Sequence, residues 1–263
     1  VDAFSHAIEI RTRLCQRAST PEERSWLAGS YKMRATAYMS MFLGSGGLEH
    51  LHKAAQSDIS NALEVRRKLR SHDPSDPTLA HDYAMTLWTR AWIEGSVWNF
   101  PPAMEDLSAA AGLLRELVYV QGRATWLPDL AMCLADRVKF GVGATQKGYK
   151  MALLEEAEEC AGIYADLLRS GTLTVRAKYL EFLAHGASPA AFFLGQPGRA
   201  AIFLTMGLDE IERVLAESGP DGASVAGLGL FFAIPDGTVD DLARRHGLDG
   251  ARYRRLKKAA GSR

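Results

Sequence analysis

Apolar residues recur along this chain at intervals of three and four, the period of a helix that buries one face, and the pattern itself repeats. Residues 58–69, DISNALEVRRKL, are written again at 106–117, DLSAAAGLLREL, with Asp, Ser, Ala, Arg and Leu at matching places. An earlier copy stands at 2–14 (DAFSHAIEIRTRL), a later one at 156–167 (EAEECAGIYADL), and a worn one at 209–215 (DEIERVL). With Asp2, Asp58, Asp106, Glu156 and Asp209 as anchors, the steps are 56, 48, 50 and 53 residues. Self-similarity at such a spacing is the mark of an architecture in which each unit buries its apolar face against its neighbours.

Punctuation divides each step into two helices. Thr20-Pro21-Glu22-Glu23 reads as an N-cap, a first-turn proline and two acids facing the positive end of the helix dipole, and predicts a helix to about Leu43. Gly44–Gly47 closes it, and HDPSDP (72–77) breaks the following helix, 48–70. Helices are predicted over 78–95, 103–120 and from 126 to about 141, and then over 179–186 and 190–206, with bends at Pro189 and Pro197-Gly198. The expected fold is all-α, antiparallel helical pairs stacked as a solenoid or bundle. Residues 1–218 form the repeats, and 219–263 an apolar turn followed by a basic helical hairpin.

Small Ala or Gly at the expected helix crossings, with Tyr, Leu or Trp between them, resembles tetratricopeptide-type repeats. DPSDPTLAHDYAMTL (73–87) and WLPDLAMCL (126–134) are similar to the "DP…" to "DLA…L" join of bacterial repeats of this kind. The resemblance covers roughly residues 2–215, and a step of about 50 residues in place of 34 implies longer helices or elaborated loops. It implies a non-enzymatic scaffold or regulatory module that holds a peptide or partner protein against its inner helices. Tyr83, Trp92 and Arg90 are the candidate contacts. Trp88 and Trp92, four apart, read first as core.

Composition narrows the alternatives. Basic and acidic residues balance at 31 each, so no molecule-wide field recruits nucleic acid or anionic membrane. No stretch reaches the ~20 apolar residues of a membrane span. Cys15, Cys133 and Cys160, odd in number and set among apolar neighbours, read as reduced buried thiols and hence a cytoplasmic protein. Val1 in place of Met reads as a processed chain or a piece of a longer one.

Local charge is another matter. Residues 244–263 carry eight Arg or Lys against one Asp. TVDDLARRHGLDGARYRRL (238–256) also sets Leu242, Ala243, Gly247, Leu248, Tyr253 and Leu256 where a helix-turn-helix wants its contacts. The alternative function is therefore a transcription regulator contacting DNA through Arg252, Arg254, Arg255, Lys257 and Lys258. The bland account of the same segment is a hairpin that caps the last repeat. A third alternative, an all-α enzyme with a site between its helices, rests on no motif. No cofactor, metal or catalytic constellation is expected: His50-x-His52 diverges on a helix, and GVGATQKG (141–148) lacks the strand and the Gly-Lys-Ser/Thr of a phosphate loop. Residues 227–234, GLGLFFAI, suggest an apolar contact surface.

Overall fold

The computed structural model describes residues 1–17, 20–144, 150–218 and 231–261, and every regular element among them is helical. The fold is all-α, with helices packed on their sequence neighbours, an arrangement compatible with a helical repeat. No helix among the described residues is long and apolar enough to cross a membrane. The chain divides into two compact units, Val1–Asp129 and Leu130–Arg263.

The first unit holds α1 (Asp2–Arg17), α2 (Pro21–Gly44), α3 (Glu49–His72), α4 (Pro77–Gly95) and α5 (Phe100–Arg115). A π turn, Glu116–Val120, prolongs α5, and a 3-10 turn, Ala124–Trp126, leads into α6 (Leu127–Gly143). Local chemistry sets the starts. Thr20 and Glu23 form a reciprocal capping box at α2, the Thr20 hydroxyl accepting from Glu23 N–H at 3.2 Å and the Glu23 carboxylate from Thr20 N–H at 3.1 Å. Asp76 caps α4, its carboxylate accepting from Thr78 N–H at 2.7 Å, with Pro77 supplying the preset φ of the first turn. Ala28, Ala35, Ala55 and Ala62 are buried together with Met39, Ile59 and Ile93, small residues letting α2, α3 and α4 approach closely.

The second unit contains the rest of α6, α7 (Lys150–Arg169), a 3-10 turn (Leu173–Val175) and α8 (Arg176–Phe182). A π turn, Leu183–Ala187, joins α8 to α9 (Ser188–Phe193); α10 (Pro197–Ser218), α11 (Asp236–His246) and α12 (Gly250–Gly261) follow. Pro189 stands directly after the π turn, inside a run that is helical from Arg176 to Phe193. The break expected at Pro197-Gly198 falls just before Pro197: α9 ends at Phe193, and Gly195 takes the left-handed conformation (φ 73°) before α10 begins. Two residues of the apolar surface expected at 227–234 are instead buried. Phe231 and Phe232 are interior, packed edge-on to each other and around the buried Tyr253, while 227–230 lie outside the described residues, as do 145–148 of the glycine-rich loop. A Cβ on Gly207 of α10 would meet Phe231 Cε2 at 2.0 Å, so only glycine admits that ring.

The repeated acids have a shared task. Asp58 on α3 receives a bidentate pair from Arg34 on α2, Nε and Nη2 donating at 2.6 and 2.7 Å. Asp106 on α5 receives the same fork from Arg90 on α4, both at 2.6 Å. Arg137 on α6 donates to Glu156 on α7 at 2.7 Å, and Arg176 on α8 to Glu210 on α10 at 2.6 Å. In every case the carboxylate is buried, comes from the later helix, and meets a cation from an earlier one. The hydrogen bonds to the carboxylates are the largest cause raising the pKa of Arg34 and Arg90 above the ordinary guanidinium value. Of the five anchors, Asp58, Asp106 and Glu156 belong to this series. The last position is held by Glu210 in place of its neighbour Asp209, and Asp2 stands exposed in the first turn of α1. Such pairs add little net stability over a well-packed apolar pair, but removing one partner strands a buried charge at roughly 3–5 kcal/mol.

Candidate functional site

A polar face of the first unit collects charge that packing alone does not require. Arg66 of α3, nearly buried, pairs with Asp82 of α4 at 2.6 Å and also donates to the Ser25 hydroxyl of α2. One residue earlier on α4, His81 is hydrogen-bonded through Nε2 to Asp129 at 2.8 Å and stacks on Trp126, with ring centroids 4.6 Å apart and planes 13° from parallel. Lys32 of α2 lies among these groups, half-buried. Its ammonium pKa is lowered, with burial the largest cause; Asp82 and Asp129 oppose the shift and Arg66 adds to it. Its Nζ makes no hydrogen bond or ion pair with a described residue. Burial lowers the pKa of Arg66 too, against the pull of Asp82.

The arrangement has a chemical consequence. Arg66 pairs with Asp82 and His81 with Asp129, whereas the half-buried ammonium of Lys32 makes no hydrogen bond or ion pair with a described residue. A group bringing acceptor oxygens would relieve the cost of that burial. An open cleft of about 750 Å³ adjoins the face at Ser25 and is lined also by Glu22, Trp26, Leu69, His72, Asp73 and Asp76, with the Trp26 indole exposed.

The residues proposed from sequence are placed differently. Arg90 is committed to Asp106, and Tyr83 lies near it but under the Arg70 guanidinium, 5.6 Å from ring centroid to Cζ. Trp92 packs against the buried cluster around Ala35 and Ile59, as a core tryptophan does. All three side chains are partly exposed. Trp98, by contrast, is 79% exposed and is the one described non-glycine residue in the left-handed region, at φ 64°. Sequence reasoning missed Lys32, Arg66, His81 and Asp82. A signal was present: the stretch 25–43 carries two charged residues, Lys32 and Arg34, in an otherwise neutral run.

In the tail, Arg252 binds Asp209 at 2.7 Å and Glu212 at 2.8 Å, and Arg255 binds Glu212 at 2.9 Å, fastening α12 to α10. Arg254 meets Asp240 at 2.6 Å and Lys257 meets Asp236 at 2.8 Å, both acids on α11; Lys258 follows on the same helix. Gly247, at φ 76°, turns α11 into α12, whose Tyr253 and Leu256 are buried. Cys133 and Cys160 are buried and Cys15 partly so; the Cys160 thiol donates to Ala131 carbonyl at 3.3 Å and burial pushes its pKa well up. Among the described residues no group of three or more His, Cys, Asp and Glu side chains is placed to hold a metal. No protein-family model matches the chain, and no curated protein is significantly similar to it in sequence.

Proposed function

We propose that this chain is a scaffold or regulatory module of tetratricopeptide type, whose first unit takes a segment of a partner protein across the face formed by α2, α4 and the start of α6. The observation that carries the reading is Lys32: a half-buried ammonium with no hydrogen bond or ion pair to a described residue, set among paired charged neighbours. A partner's carboxylate or backbone carbonyl supplies an acceptor there, and Trp126, stacked on His81, and the exposed Trp26 of the adjoining cleft add flat apolar surface. The basic tail acts as a cap in this reading. Arg252, Arg254, Arg255 and Lys257 would have to leave four carboxylates before meeting phosphates.

The test is capture of a partner with the full chain, followed by titration of the purified partner against the Lys32→Glu and Lys257→Glu variants. Lys32→Glu is expected to weaken binding by tenfold or more, and Lys257→Glu to leave it within twofold. A partner held equally by the Lys32→Glu chain would overturn the reading. Salt-dependent binding of random duplex, lost in Lys257→Glu, would move the DNA-contacting regulator ahead of it.

A further inference from the structure

The second unit contains a cavity of about 460 Å³, within the range of roughly 300–1,000 Å³ typical of small-molecule sites. Its chemistry differs from that of the polar face. Phe192, Phe193, Leu204, Ile234 and Leu242 are among its walls, and its described lining includes no Asp, Glu, Lys or Arg. The polar side chains lining it are His185, Ser188 and Thr238. Phe192 and Phe193 are 49% and 54% exposed, an apolar pair left in water where the cavity opens.

The helical run that passes through the π turn supplies much of the wall. Residues 184, 185, 188, 189, 192 and 193 all line the cavity, pairs recurring every four residues along one helical face. Ser188 stands at the end of that turn and is nearly buried. Its hydroxyl points at two carbonyls, Leu183 at 2.7 Å and Ala200 at 3.4 Å, and it has one hydrogen to give. The oxygen's lone pairs receive no described donor. Pro189 beside it is apolar, and His185 and Thr238 are the other hydrogen-bonding side chains of the lining.

We infer that this cavity binds an uncharged, largely apolar small molecule carrying an O–H or N–H group, which donates to Ser188 while its body lies against the phenylalanines. A charged headgroup has no partner in the described lining and would carry its desolvation cost uncompensated. The claim is independent of any partner on the first unit.

The experiment uses the full chain and 1,6-diphenyl-1,3,5-hexatriene, an uncharged probe without hydrogen-bonding groups, whose emission rises in an apolar site. Saturable binding at one site per chain is expected, with 1-decanol displacing the probe and decanoate failing to do so at the same concentration. Ala233→Trp, at an exposed position on the lining, should abolish probe binding while leaving the far-ultraviolet circular dichroism unchanged. Ser188→Ala should keep probe affinity within twofold and weaken decanol about tenfold, the loss of one hydrogen bond. Absence of probe binding, indifference to Ala233→Trp, displacement by decanoate as effective as by decanol, or unchanged decanol affinity in Ser188→Ala would each overturn the assignment.

Discussion

The two units are fastened by one device and surfaced by two chemistries. All five tryptophans, Trp26, Trp88, Trp92, Trp98 and Trp126, belong to the first unit, which presents Lys32, Arg66, Asp82, His81 and Asp129 on one face. The second unit has none of the tryptophans and seven of the ten phenylalanines, and opens a cavity whose described lining carries no charged side chain. Both close their helical pairs with an arginine on a buried carboxylate. Because the closure is made inside each pair, the outward faces are released to diverge. A helical pair can thus keep its fold while its surface changes from charge-bearing to apolar.

The largest expected effect tests the shared device. Arg34→Met strands Asp58, 5% exposed at the side chain, and Arg137→Met strands Glu156, 8% exposed. Each should cost about 3–5 kcal/mol. In urea titrations, tryptophan emission reports the first unit and ellipticity at 222 nm reports both. Adding Asp58→Leu to Arg34→Met should recover most of the loss. A near-neutral Arg34→Met would break the comparison at its root.

Next in size is Gly207→Ala, which drives a methyl group into Phe231 and should cost about 1–3 kcal/mol, read in ellipticity. Smaller and opposite in sign is Lys32→Met. Its folded pKa lies below the ordinary value of 10.5, so the folded state bears a penalty while both states are charged. That penalty shrinks as pH rises through the folded pKa and is gone above 10.5. The variant should therefore be more stable by about 0.5–2 kcal/mol at pH 7, with the gain fading in alkaline solution, as chemical denaturation at both pH values would measure. A destabilised Lys32→Met would make the lysine structural and weaken the contrast between the units. The mildest probe leaves the fold intact: a thiol-disulfide reagent should titrate Cys15 rapidly in the native chain, and Cys133 and Cys160 only on unfolding.

Half of the fastening device was legible in the sequence. The acids recur at nearly even steps because each opens the same stretch of the same helix type, so Asp58, Asp106 and Glu156 stood out. Their arginines lie 24, 16 and 19 residues before them, and Arg176 lies 34 before Glu210. Turn lengths vary between the paired helices, so no fixed offset betrays the partner. Arg90 was accordingly read without its partner Asp106. Asp209 stood in for Glu210 because the two acids adjoin and only packing tells which one faces inward. The helix starts at Thr20 and Asp76 were readable because a cap is a local bargain between side chain and backbone. The face around Lys32 was not, since it is assembled from α2, α3, α4 and α6, and only the lone cations in 25–43 hinted at it.

The arginine ties also carry information about which pairings the chain can tell apart. Any arginine of the series can neutralise any acid, so charge alone sets that an earlier helix meets a later one and is blind to which two they are. Length is the discriminator. The first unit ties with Asp58 and Asp106, the second with Glu156 and Glu210, one methylene longer. The four ties thus come in two lengths, the shorter acid in the first unit and the longer in the second, while the contact distance stays at 2.6–2.7 Å throughout.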